Sequence, residues 1–261
     1  MEPKSPPLFT RYGFSRPSAA PDTLTIEPYP QICVNGTLRA TIVASAIDLV
    51  GGLMTREIAG VDATFTSDLS LRVPLPSSPA RLKANGTRIR EGKRLVTTGV
   101  RLLQGDTVYA YGETTFARIP RAPEDAKSVA ELSTPLEIPS HPLAKPLAEE
   151  VGIEVIDAAQ GHVSLVMRPA LRNPEGVMQG ALVALVVECA ALAASEARGE
   201  RPRVVTEMDL RYLAAASKGP VVSAASWIGV PDANMLRVEL RDAGQDNRLT
   251  TTALVRLSEL P

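Results

Sequence analysis

Two long apolar segments, one in each half of the chain, constrain most of what this sequence can fold into. From Ala181 to Ala194 the only residue that is not apolar is Glu188. A segment apolar on all sides reads as a helix buried on all sides. A carboxylate there needs a partner, because an acid is almost never fully buried alone and stranding one costs several kcal/mol or forces protonation. The first half repeats the pattern. A shift of 140 positions carries Gly36 onto Gly176 and sets GTLRATIVASAIDLVGG (36–52) on GVMQGALVALVVECAAL (176–192) without a gap. Asp48 then falls on Glu188, and Asp48 is the only charged residue between Arg39 and Arg56.

The rest of the chain fits two related units. At 261 residues it is long enough for one large domain or two of about half that size. Residues 1–22 hold five prolines and read as an N-terminal arm; residues 121–146 are proline-rich and read as an extended linker. They leave a first domain at 23–120 and a second at 147–261. Strand-like runs follow each apolar segment, at 61–73, 80–89, 94–103 and 107–119, and again at 203–213, 220–230, 234–243 and 248–258. Val205, Met208, Leu210 and Tyr212 alternate as a half-buried strand does, and Gly, Pro, Asp and Asn separate the runs. Two more runs, 152–158 and 162–169, precede the second helix. Many consecutive strands around one helix predict an α+β fold: two antiparallel sheets, each wrapped on one long central helix and paired as a homodimer would be.

Composition excludes several classes of function. The formal net charge is −1, so no global basic field points to nucleic acid. No apolar run of membrane-spanning length is free of charge, and the N-terminus lacks the apolar core of a signal peptide. Cys33 and Cys189 sit in apolar contexts, which fits free thiols and a cytoplasmic location. With only two histidines, His141 and His162, no metal site is expected.

The stretch Asn173-Pro-Glu-Gly176-Val-Met-Gln179-Gly180, with an acid at Glu188, resembles the hotdog-fold thioesterases, nearest the phenylacetate-type and 4-hydroxybenzoyl-CoA-type enzymes. The resemblance is good over about 150–258 and weaker over 30–120, and two tandem copies look like a double hotdog of the acyl-CoA thioesterase II group. It implies hydrolysis of an acyl-CoA or acyl carrier protein thioester, with coenzyme A as part of the substrate and no other cofactor. The family roles would fall on Asn173, Gly180, Glu188 and Thr206, with Gln179 where many members have His. A homodimer of double hotdogs is the expected assembly.

Residue chemistry agrees with that activity. A thiol of pKa about 8.5 leaves readily as thiolate. The reaction then needs a base or nucleophile and donors for the oxyanion, which a helix N-terminus supplies. Gly180 and Glu188 are eight residues apart, about 12 Å along a helix, so one helix cannot place both on one thioester. Two antiparallel helices can, in crossed pairs. Site one joins Asn173, Gln179 and Gly180 to Asp48, with Thr66 or Ser67. Site two joins the first-half loop to Glu188 and Thr206. That loop carries Cys33, Arg39 and Ala40 where the second half has Asn173, Gln179 and Gly180. Site one is therefore expected to work and site two to be degenerate. Two structural readings stand beside these: a buried Arg39–Glu188 ion pair, and Asp48 bonded to a helix N-terminus without chemistry. Two other functions remain open, a non-catalytic acyl-CoA binder and a hotdog hydratase or dehydratase. Against the latter, neither histidine lies at a helix start.

Overall fold

The computed structural model describes residues 8–16, 22–60, 62–77, 79–121, 142–173, 175–199, 201–230 and 233–260. In the first half the strands are β1 (Phe14–Ser15), β2 (Thr23–Ile26), β3 (Cys33–Val34), β4 (Thr37–Leu38), β5 (Ala63–Arg72), β6 (Leu82–Glu91), β7 (Leu95–Gln104) and β8 (Thr107–Ile119). In the second half they are β9 (Ile153–Asp157), β10 (His162–Leu165), β11 (Arg203–Tyr212), β12 (Val221–Trp227), β13 (Met235–Asp242) and β14 (Arg248–Glu259). Helix α1 spans Ala40–Ala59, a short α2 spans Leu147–Val151, and α3 spans Gly180–Glu196.

The two expected sheets are one. Twelve strands run β1-β2-β6-β7-β8-β5-β11-β14-β13-β12-β10-β9, and every described pair within it is antiparallel. The halves join at β5 and β11, whose ladder runs from Arg72↔Glu207 to Asp68↔Arg211. The 140-residue shift exchanges the partners of Leu69↔Leu210 and Ser70↔Asp209, so the pseudo-two-fold passes between these two pairs. Separate sheets would leave two edges of unpaired N–H and C=O groups facing each other, and pairing removes both.

Helix α1 lies on β5–β8, α3 lies on β10–β14, and the two helices pack on each other. Glu188, eight residues into α3, reaches the first residues of α1, and Asp48, eight residues into α1, lies at the first residue of α3. The helices are thus antiparallel, as the crossed pairing requires. Apolar side chains fill the layer between helices and sheet, among them Ile42, Ile47, Leu182, Val186, Met208 and Leu210. Each large side chain buried there contributes about 1.5–3 kcal/mol.

Short elements without periodicity complete the sheet. Of the stretch read as an arm, residues 8–16 form a 3-10 turn and β1, with Tyr12 and Phe14 fully buried edge to face. Strands β3 and β4 form a small hairpin through Asn35 and Gly36, both at positive φ, the conformation that favours Asn-Gly at a tight turn. Most of the expected linker, residues 122–141 with His141, lies outside the described residues.

The seam has an apolar inner face and a charged outer face. Met208 opposes Leu71, and Leu210 opposes Leu69, all buried. Outside, Arg72 grips Asp209 with bonds of 2.8 and 3.0 Å, and Arg211 meets Asp68 at 3.0 Å. Solvent screens these pairs, so the inner face holds the halves together. A Leu210→Ala variant is expected to lose about 2–5 kcal/mol in urea unfolding, whereas Arg72→Ala loses about 1 kcal/mol or less.

Candidate active site

The start of each long helix meets the acid of the other, and the two meetings differ. At α1, Glu188 is fully buried. It accepts from the Ala40 N–H at 3.0 Å, the Thr41 N–H at 3.4 Å and the Thr41 hydroxyl at 2.6 Å, with Arg39 Nη1 at 3.5 Å. Arg39 holds the N-cap position without a side-chain cap of its own, so Glu188 caps α1 from the opposite helix. The buried Arg39–Glu188 pair expected as one structural reading is present, but the helix N–H groups and Thr41 hold the carboxylate closer than the guanidinium does.

At α3, Asp48 is one methylene shorter than Glu188. Its Oδ1 accepts from the Thr66 hydroxyl at 2.6 Å. Its Oδ2 lies beside Gly180, where a Cβ would come within 3.1 Å of it, tighter than ordinary contact. Gly180 therefore permits the close approach that Ala40 does not need at the other end. Among the described residues, the N–H groups of Gly180 and Ala181 have no acceptor, while their counterparts at Ala40 and Thr41 are taken up by Glu188. Asp48 is also only partly buried. The shorter acid thus stands at the positive end of a helix and leaves its first donors open.

Burial pushes the Asp48 pKa above its ordinary value, and the Thr66 hydrogen bond and the Arg56 charge only partly oppose this. Tyr212 comes from β11 of the other half. Its hydroxyl would be 3.7 Å from a Gly180 Cβ, and it donates to the Gly180 carbonyl at 3.4 Å. Burial first, and then the Asp48 charge, hold its pKa far above the usual phenol range, so it is a neutral donor at the site. The sequence marks Tyr212 only as an alternating position of a half-buried strand, and that alternation was the available signal for its place on the inner face of β11.

Other expected site residues serve the frame. Gln179 is buried at the α3 N-cap position, and its Nε2 donates to the Ala170 and Arg172 carbonyls, each at 3.2 Å. It braces the loop before α3 instead of reaching Asp48. Asn173 accepts from the Glu175 and Val177 N–H groups and closes the turn. Ser67 bonds Asp68 and the Thr115 carbonyl, on the other pleat from Thr66. Thr206 bonds Ser258 at 2.9 Å, not Glu188. The two threonines diverge because each strand bulges there, between Thr66 and Asp68 in one half and between Val205 and Glu207 in the other. A bulge one residue out of step re-aims the side chain. Asp48, Thr66, Gly180 and Tyr212 are brought together; Asn173, Ser67 and Thr206 are not. Among the described residues no cluster of His, Cys, Asp or Glu could hold a metal ion, and no helix is long and apolar enough to cross a membrane.

No protein-family model matches this sequence, and no curated protein matches it. Solved structures do. An acyl-ACP thioesterase from Bacteroides thetaiotaomicron matches with a TM-score of 0.61 at 13% identity, over 90% of this chain and 97% of that one. A protein of unknown function with a hotdog fold from Alicyclobacillus acidocaldarius matches with a TM-score of 0.62 at 14% identity, over 98% and 100%. Acyl-CoA thioesterase II TesB2 from Mycobacterium marinum matches with a TM-score of 0.58 at 11% identity, over 94% and 95%. Over nearly its whole length the chain shares the hotdog fold of these structures.

The two acids should respond in opposite ways to neutralisation. The Asp48 pKa is raised in the folded state, so folding favours its protonated form. Its cost to stability is absent below the unfolded pKa and grows as pH rises through the folded one. Asp48→Asn is therefore expected to keep or raise Tm at pH 7, with less effect at pH 4. Glu188→Gln breaks a satisfied buried cap and is expected to lose about 2–4 kcal/mol, or about 5–10 °C in Tm. Thermal unfolding at both pH values checks the pair.

Proposed function

We propose that the protein hydrolyses an acyl thioester, of coenzyme A or of an acyl carrier protein, to the free acid and thiol at site one. The observation that carries this is the contrast between the helix starts: the open N–H groups of Gly180 and Ala181 stand beside Asp48, while Glu188 occupies the equivalent groups at α1.

The acyl carbonyl oxygen lies at the N-terminus of α3, where the Gly180 and Ala181 N–H groups donate to it as negative charge develops. Asp48, held by Thr66, takes a proton from water as the water oxygen attacks the carbonyl carbon. The tetrahedral intermediate collapses, the C–S bond breaks, and the thiolate leaves to be protonated by solvent or by Asp48. Tyr212, neutral and bonded to the Gly180 carbonyl, holds the first peptide of α3 in place beside Asp48. Site two performs no turnover, because Glu188 fills its donors. Two of the structural neighbours, an acyl-ACP thioesterase and an acyl-CoA thioesterase II, support the same chemistry. The reading includes a cytoplasmic enzyme with free Cys33 and Cys189 and a homodimer of chains.

A hydratase built on histidine finds less support. His162 lies in β10, four places from β11 in the sheet order and outside the Asp48 cluster.

Hydrolysis of a panel of acyl-CoAs, followed with a thiol reagent, tests the assignment. Asp48→Asn is expected to lower kcat by about 10²–10⁴-fold, and folded Glu188→Gln to retain most activity. The wild-type kcat/KM should rise with pH through an apparent pKa above the ordinary aspartate value near 4. Loss of activity in Glu188→Gln with activity kept in Asp48→Asn would refute the assignment, and acyl-CoA binding without thiol release would favour a non-catalytic binder.

A further inference from the structure

The net charge of the chain is close to zero, yet one hairpin is strongly basic. Between Arg81 and Arg101 the sequence holds seven Lys or Arg residues and a single acid, Glu91. Three of the cations, Arg90, Lys93 and Arg94, are exposed at the turn between β6 and β7, and no ion pair joins them to an acid among the described residues. Large apolar side chains flank them: Ile89 is 51% exposed, Leu95 50% and Ile119 49%. Leu95 opposes Ala117, two residues before Ile119, and Ile89 packs at Gly99, four residues along β7 from Leu95. All three therefore share the outer face of the sheet.

This tip lies on the rim of site one. The Arg94 carbonyl accepts from the Arg118 N–H at 2.8 Å. Three residues on, Arg121 meets Glu175 at 2.6 Å, in the turn that leads to Gly180. Arg88, at the base of the tip, donates to the Met54 carbonyl of α1 at 3.2 Å. Met54 is six residues past Asp48, about 9 Å along the helix.

The internal repeat provides a control. The shift of 140 positions sets Arg88–Arg94 (RIREGKR) on Ile228–Asn234 (IGVPDAN), which has no cation and one acid. The equivalent tip thus lacks the cations, and it belongs to the half whose Glu188 occupies the donors of site two.

We propose that the β6–β7 tip docks an acidic carrier protein that presents the acyl thioester to site one on an extended arm. This rests on the thioesterase reading above. A mixture of projecting apolar side chains and unpaired cations suits a protein surface. A nucleotide would answer the charge but leave Ile89, Leu95 and Ile119 in water.

The test uses the charge-reversed variant Arg90→Glu/Lys93→Glu/Arg94→Glu, with Tm confirming its fold. Octanoyl carrier protein, octanoyl-CoA and the uncharged octanoyl N-acetylcysteamine thioester are the substrates. Expected is a loss of about tenfold or more in kcat/KM on the carrier protein, and a change of about threefold or less on the other two. Added salt should lower the wild-type rate on the carrier protein alone. Anisotropy of labelled carrier protein reads docking independently of turnover, with an expected rise in Kd of about tenfold or more. Equal losses on all three substrates, or unchanged carrier binding, overturn the proposal. So does loss of binding to phosphatidylglycerol vesicles with carrier binding intact. Carrier binding that is lost in the variant, in a wild type that hydrolyses none of the thioesters, keeps the docking surface and refutes the hydrolase.

Discussion

A carboxylate set against the first turn of a facing helix organises the middle of this molecule. Each long helix is too apolar to be anything but buried, and its first N–H groups have no intrahelical acceptor. Glu188 meets that need for α1, accepting from two backbone N–H groups and the Thr41 hydroxyl in a site closed to solvent. The bonds tie the second half to the first at the pseudo-two-fold, inside the seam that β5 and β11 close from the sheet side. The antiparallel helix packing, the continuous sheet and the shared sites all depend on this crossed arrangement.

The same device with a shorter acid gives a different result. Asp48 leans on Thr66, and its other oxygen stops beside Gly180 without capping the helix. An uncapped helix start and a partly desolvated carboxylate both lower stability, and both are what thioester hydrolysis needs: donors for an oxyanion and a base of raised pKa. The two copies of one motif thus differ in what they leave free: Glu188 caps α1, while Asp48 leaves the first N–H groups of α3 open. One methylene separates the acid that caps its facing helix from the acid that does not.

Much of this was legible in residues 36–52 and 176–192 alone. Helix rise and the matching acids required crossed sites, and apolar alternation marked the strands of both halves. The difference between the acids was harder to read, since it depends on how far each side chain reaches across the helix pair. Where Asn173, Ser67 and Thr206 bond was not legible either, for local reasons: a turn takes up the first, and bulges one residue out of step re-aim the other two. The burial of Tyr12 and Phe14 left no trace in sequence, because β1 and β2 are too short to show a period. Tyr212 reaches Asp48 only because the two sheets are one, and no local pattern announces that pairing.

The difference between the two helix starts therefore rests on the length of the acid at position 48. The most direct test is the kcat/KM of Asp48→Glu on an acyl-CoA that the wild type hydrolyses. A glutamate there is expected to reach the Gly180 and Ala181 N–H groups as Glu188 reaches those of Ala40 and Thr41, lowering kcat/KM by about 100-fold or more. Activity within a few-fold of wild type would contradict the claim that a longer carboxylate closes the site.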